Sequence, residues 1–175
     1  MSPKIFDMLE RLAINNPGTK GRYKLAAGIV YKKHLIATGV NSYKSHPLMT
    51  QFGKNDSAIY IHAEVDAIKN ALRLIDMDQI GKCDLYVLRV KRSGDKKTSP
   101  WTRALSCPCE GCQRAIVHFG LRNVYYTTNV TNNYTHIADV QHNKIFNPWQ
   151  NMLTSETNTA IKNHTEFEKV LAFTK

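Results

Sequence analysis

Residues 23–32 (Tyr-Lys-Leu-Ala-Ala-Gly-Ile-Val-Tyr-Lys) read as a buried strand, and residues 34–40 read as a second strand beginning one residue later. So short a connection admits only a hairpin, so these two strands pair antiparallel. Downstream, helix and strand alternate. Residues 59–75 set Ile68, Ala71, Leu72 and Ile75 on one helical stripe, and residues 85–90 read as a strand. Residues 91–104 form a basic loop with Gly94 and Pro100. A short helix follows, with Cys112, Ala115, Ile116 and Phe119 on one face and Gly120 as its stop; residues 122–128 then make a strand. Ahead of the hairpin, Ile5, Met8, Leu9 and Leu12 mark an amphipathic helix over 4–15, ended by Asn15-Asn16-Pro17-Gly18. Strands separated by single helices imply parallel pairing with right-handed crossovers. The expected architecture is α/β, a mixed sheet covered by helices on both faces.

Residues 41–57 read as a polar loop with Pro47 and Gly53. After Thr128 the signal weakens: 129–150 is rich in Asn and Thr, and Ile161, Phe167, Val170 and Leu171 have the spacing of a last helix over 159–173. Neither an internal repeat nor a second domain is visible. The 175 residues are expected to form one domain: an N-terminal helix within 1–16, a core over 20–128, and an extension over 129–175 packing on that core. No apolar run reaches membrane-span length, and the first residues, with an early Asp7, lack a secretory pattern. A cytoplasmic protein without a membrane partner is expected. The Asn-x-Thr triplets at Asn129 and Asn133 are accordingly read as chance.

Three of the four cysteines fall between Cys107 and Cys112, too crowded for ordinary bridges. Such clustering in a reducing compartment reads as a metal site. Cys109 and Cys112 are three apart at the start of a helix, so their sulfurs point the same way. The free N–H groups and positive dipole end of a helix start favour thiolates there. His62-Ala63-Glu64 lies in the first turns of the preceding helix and supplies a third ligand, His62. Two thiolates and a neutral imidazole balance Zn²⁺, and three protein ligands leave a fourth position open, the pattern of a catalytic zinc. Glu64 can approach that position without being a ligand. Cys107 offers an alternative: as a fourth ligand it would close the tetrahedron into an inert, structural site, although Pro108 fixes the chain between the two sulfurs. Cys83 reads as core, and His34, His46, His118, His136, His142 and His164 show no ligand spacing.

His-x-Glu followed by Pro-Cys-x-x-Cys, each opening a helix, is the zinc deaminase signature. Over about residues 20–128 the chain resembles the cytidine and deoxycytidylate deaminase superfamily, with most likeness to the deoxycytidylate branch. The resemblance implies a three-layer α/β/α sandwich on a five-stranded sheet, a zinc cofactor, and hydrolytic removal of an exocyclic amine. It makes Glu64 the proton carrier, lets the Ala63 backbone touch the base edge, and gives the Cys107 carbonyl to the departing ammonia. In Gly39-Val40-Asn41 it makes Asn41 a sugar contact. Two positions depart from the deoxycytidylate pattern: Asp66 stands where Asn is usual, and Ser42 where Gly is usual. His62, in place of Cys as the first ligand, argues against the free-cytidine branch.

Lys and Arg total 24 against 14 Asp and Glu, a net charge of +10, which favours an anionic partner. Arg22 and Lys24, beside the first strand, are candidate phosphate contacts. His46, in Ser45-His46-Pro47, lies near the expected mouth of the site. Trp101, among the cations of the 91–104 loop, suits base stacking, and an ordinary solvated loop equally. The leading expectation is an enzyme acting on deoxycytidine monophosphate or a related nucleotide, with a homo-oligomer as the expected assembly. The alternatives are a deaminase of single-stranded DNA or RNA, and a zinc-stabilised nucleic-acid-binding module without turnover.

Overall fold

A computed structural model describes residues 2–53, 59–130 and 133–137. The expected helix over 159–173, the extension beyond residue 137, His142 and His164 lie outside the described residues. The elements in chain order are α1 (Ser2–Ile14), β1 (Tyr23–Tyr31), β2 (His34–Val40), α2 (Pro47–Phe52), α3 (Ala63–Ala71), α4 (Met77–Ile80), β3 (Asp84–Arg92), β4 (Trp101–Ala104), α5 (Glu110–His118), β5 (Asn123–Thr127) and β6 (Tyr134–Ile137). The strands form one mixed sheet in the order β2-β1-β3-β5-β6, with β4 pairing β3 outside that path. β1 runs antiparallel to both β2 and β3, and β3 is parallel to β5. The helical connection after β2 therefore crosses β1 to reach β3, and the one after β3 leads directly to its parallel neighbour.

Strand alternation assigns the two faces. Ala26 and Val30 of β1, with Tyr86, Leu88 and Val90 of β3, pack against Phe6, Leu9 and Ala13 of α1. Ala27 and Ile29, with Leu85 and Val87, pack on the other face against Ile68 and Ala71 of α3 and Ile116 of α5. Both faces are thus buried, and the expected α/β sandwich is present. In β2, pairing shifts between Val30↔Leu35 and Ile29↔Ala37, so Ile36 is an extra residue. This bulge lets Leu35 face α1 while Ala37 faces α3.

Several elements differ from the sequence expectation. The sheet has six strands rather than five. The β1–β2 connection has two residues, Lys32 and Lys33, both at positive φ. The polar loop contains α2, which opens with Pro47 and is capped by His46, whose ring Nδ1 accepts from the Leu48 N–H at 3.2 Å. Residues 59–61 are extended rather than helical, because Ile61 and Ile59 exchange backbone hydrogen bonds with Ser42, Lys44 and His46. The C-terminal part of the basic loop is β4, which pairs antiparallel with residues 89–92 of β3. No helix among the described residues is long and apolar enough to cross a membrane.

Candidate active site and metal centre

α3 and α5 aim their N-termini at one another. His62 is the N-cap of α3 and Cys109 the N-cap of α5, both with extended backbone. Two glycines make this approach possible. A Cβ on Gly39 would lie 2.2 Å from the Ala67 nitrogen and 2.5 Å from the Ala63 oxygen, so α3 rests directly on β2 backbone. A Cβ on Gly111 would lie 2.9 Å from the Phe52 oxygen, which seats the start of α5 on the end of α2. Side-chain clips complete the fit. Asp66 accepts from the Val40 N–H at 3.1 Å, and Asn70 donates to the Thr38 carbonyl at 2.8 Å. These clips satisfy the outer edge of β2, the terminal strand of the sheet. Asp66 also pairs with Lys69.

The imidazole Nδ1 of His62 stands 3.4 Å from Cys109 Sγ and 3.3 Å from Cys112 Sγ. One donor atom from each of the three residues falls within 4.8 Å of the others, close enough to share one ion. His62 is half-buried, Cys109 exposed and Cys112 buried. The protein groups polarise one another strongly. The hydrogen bond from Cys112, then that from His62, pulls the Cys109 thiol down to about 4, against burial. The same bond to Cys109 raises His62 to about 9, again against burial. Cys112 is pushed well up by its bond to Cys109 and by burial. A nitrogen and two sulfurs gathered this tightly fit a soft dication in tetrahedral coordination.

Glu64 follows at the second position of α3 and is only 3% exposed. Its Oε2 is buried without a hydrogen-bond partner. Burial first, then the Cys109 charge, raises its carboxyl to about 7, while His62 opposes the shift. A buried carboxylate with one oxygen unpartnered beside a metal trio is costly as structure and suited to carrying protons.

The remaining expected residues fall into two groups. Ala63, Cys107, Asn41 and His46 are on or next to the segments that form this centre. Ala63 is fully buried and begins α3. Cys107 is half-buried against the core and does not join the trio, so the four-ligand alternative finds no fourth sulfur among the described residues. Burial pushes the Cys107 thiol up to about 12. Asn41 accepts from the Leu25 N–H at 2.8 Å through Oδ1, and the next residue, Ser42, donates to the carbonyl of Ile61, just before His62. His46 lines a cleft of about 530 Å³ with Ser45, Pro47, Thr50, Gln51 and Ile59; none of the three trio residues lines it.

Lys24 and Trp101 are directed elsewhere. Lys24 donates to the carbonyls of Ile14 and Asn16 at 2.7 and 2.8 Å, closing the end of α1. Trp101 packs on the α1 face of the sheet, with Lys24 5.5 Å and Arg92 4.3 Å from its ring centre. Both therefore serve the opposite face from the zinc helices, as a helix cap and a packed ring. Arg22 is exposed and pairs with Asp95 at 2.6 Å. The roles of Gly39, Gly111 and Asp66 were absent from the sequence reading. The contact of Gly39 with α3 is set by tertiary packing, which no local spacing records.

A mixed α/β sandwich in which two helix N-termini present one His and two Cys beside a buried Glu is the arrangement of a zinc-dependent deaminase. The chain belongs to the cytidine and deoxycytidylate deaminase zinc-binding family, whose model matches residues 4–128. It is a zinc-dependent enzyme that deaminates a pyrimidine, and His62, Cys109 and Cys112 are placed to hold the metal. No curated protein matches it in sequence. Among solved structures, a cytidine deaminase from Burkholderia pseudomallei is similar at 16% identity and a TM-score of 0.52, covering 79% of this chain and 92% of that one. The dCMP deaminase of cyanophage S-TIM5, in complex with dCMP and dUMP, gives 18% identity and a TM-score of 0.46, covering 74% of this chain and 82% of that one. At these identities the first likeness speaks to the fold.

Proposed function

We propose that the enzyme hydrolyses the exocyclic amine of deoxycytidine monophosphate or a closely related pyrimidine nucleotide. The observation that carries the mechanism is the unpartnered Glu64 carboxylate oxygen buried beside the trio. His62, Cys109 and Cys112 would hold zinc, which would supply a Lewis acid able to bring the pKa of water towards neutrality. Glu64 takes the proton of the attacking water and delivers it to the ring nitrogen beside the attacked carbon. It then takes the remaining proton from the hydroxyl now on that carbon and gives it to the amine, so that the carbonyl forms as the carbon–nitrogen bond breaks and ammonia leaves. Ala63, as the first residue of α3, offers the base edge an N–H that the helix itself does not use. The Cys107 carbonyl receives the departing ammonia.

The nucleotide reading rests on Asn41, His46 and the net charge. Asn41 Oδ1 is tied to Leu25, so its amide N–H₂ is the end offered to a sugar hydroxyl. His46 and Ser45 border the cleft beside the extended segment leading into His62, and Arg22 is a surface cation for the phosphate. The test is ammonia release from a panel of bases, nucleosides, monophosphates and short oligonucleotides. Fastest turnover with deoxycytidine monophosphate is expected. Turnover confined to a purine or to oligonucleotides would overturn the substrate assignment.

A further inference from the structure

Alternation gives β1 and β3 one face turned to the zinc helices. On β1 that face holds Leu25, Ala27 and Ile29, and on β3 it holds Leu85 and Val87. One step further along each strand, the same alternation brings Tyr23 and Arg89 onto it. Arg89 sits between two segments of the site. Its Cα partner on β1 is Leu25, whose N–H is held by Asn41 Oδ1. Directly opposed residues of an antiparallel pair have Cα atoms about 5 Å apart. On its other side, the Arg89 N–H donates to Thr127 Oγ1 at 3.4 Å, and the Thr127 carbonyl accepts from the N–H of Ser106, the residue before Cys107. The sheet thus plants Arg89 between the segment of Asn41 and the segment of Cys107.

The guanidinium of Arg89 has no counterion. Among the described residues no carboxylate pairs with it, and its Nε is buried without a hydrogen-bond partner. Its Cζ stands 4.2 Å from the centre of the Tyr23 ring, and Tyr23 is 48% exposed. The guanidinium therefore leans outward along the strand, to the rim of the sheet face. Stacking on a ring holds its plane but uses none of its in-plane N–H donors. A buried cationic donor with no acceptor is costly unless something from outside the chain completes it. A planar fork of N–H groups, held flat by an exposed ring, matches two oxygens of one phosphate. The other cations of this region are committed. Lys24 closes α1 on the opposite face, and Arg22 is paired with Asp95.

We infer that Arg89, braced by Tyr23, is the specificity-determining residue that takes the phosphate of the nucleotide substrate. The inference rests on the nucleotide reading above and adds to it the side chain that distinguishes nucleotide from nucleoside. It is tested on the zinc-loaded full chain at low salt, by measuring kcat/KM for deoxycytidine monophosphate and for deoxycytidine in the parent and in variants. The readout is the ratio of the two values, because a general loss of folded enzyme lowers both and leaves the ratio unmoved. Arg89→Gln should cut the ratio at least about tenfold, mainly through a higher KM for the monophosphate. Arg89→Lys, which keeps the charge without the fork, should fall between Arg89→Gln and the parent. Tyr23→Leu should cut the ratio about two- to fivefold, and Tyr23→Phe should keep it, since the ring face and not the hydroxyl braces the guanidinium. A parent that turns over the monophosphate no faster than the nucleoside would overturn the nucleotide reading and this inference together. A parent that prefers the monophosphate, with the same ratio in Arg89→Gln, would overturn the inference alone. Should Arg89→Gln fail to fold, Tyr23→Leu, at an exposed residue, decides in the same way: a parental ratio there overturns the assignment.

Discussion

Glu64 is a residue that the fold holds at a cost. Its carboxyl is raised from 4.5 to about 7 by burial and by the nearby Cys109 charge. A folded-state pKa above the unfolded one means the native state favours the proton. That contribution is fully present below about pH 4.5 and is lost as pH rises through 7. In chelator-treated protein, Glu64→Gln is therefore expected to be more stable than the parent at pH 8, by on the order of 3 kcal/mol, with the difference vanishing below about pH 4.5. Denaturant melts at the two pH values check this; equal stability of parent and variant at pH 8 would contradict the burial argument. The same variant, loaded with zinc, should lose turnover towards the upper end of about 10²–10⁴-fold, because one carboxylate serves more than one transfer. Zinc content and kcat are measured on one preparation. Retained zinc with a rate within tenfold of the parent would remove Glu64 from the mechanism, and loss of zinc would make it a ligand. The gathering of His62, Cys109 and Cys112 was legible in the sequence because helical spacing puts the two cysteines on one side of a helix start and the motif puts His62 at another. Lys24 and Trp101 read as ligand contacts because a charge and a ring advertise binding whichever face of the sheet they occupy. Their actual partners, the carbonyls of Ile14 and Asn16 and the α1-side core, lie on other elements.

The zinc helix is placed by the strand beneath it. Gly39 gives α3 a backbone surface to rest on, and Asp66 and Asn70 tie the helix to the edge of β2. Gly39→Ala would force a methyl to within 2.2 Å of the Ala67 nitrogen, and backbone rather than a flexible side chain must yield. The expected result is a loss of about 1–3 kcal/mol, or more, together with weaker zinc binding, since His62 moves with α3. Thermal melts and metal analysis of the variant check both; a parental melting temperature with full zinc would show that α3 is not seated on Gly39. At this scale the strong periodicities of β1, β2, β3 and α5 gave their elements directly. The short pieces did not. β4 has four residues that pair only because β3 extends to Arg92, and β6 is held by β5 rather than by any pattern of its own. α2 owes its start to Pro47 and the His46 cap, a local signal hidden in a segment read for its polarity. The start of α3 moved from 59 to 63 because residues 59–61 are drawn into pairing with Ser42, Lys44 and His46.

Across the whole molecule, the metal trio joins the starts of α3 and α5, which belong to separate strand-helix units of the sheet. Ion binding to the folded site is folding free energy. Chelation or Cys112→Ser is expected to lower the melting temperature, and added Zn²⁺ should restore the parent but not the variant; full metal occupancy in Cys112→Ser would refute the ligand set. Net charge acts over the same range. With +10 spread over 175 residues, an anionic substrate is drawn to the protein before any contact forms. One charge-assisted phosphate contact adds about 1.5–3 kcal/mol, or roughly ten- to hundredfold in kcat/KM. Deoxycytidine monophosphate should therefore exceed deoxycytidine by that factor at low salt. The advantage should shrink at 0.5 M salt, at about which the screening length falls well below its value of about 10 Å at 0.1 M. Equal kcat/KM for nucleoside and monophosphate at low ionic strength would show that the basic charge serves something other than substrate capture.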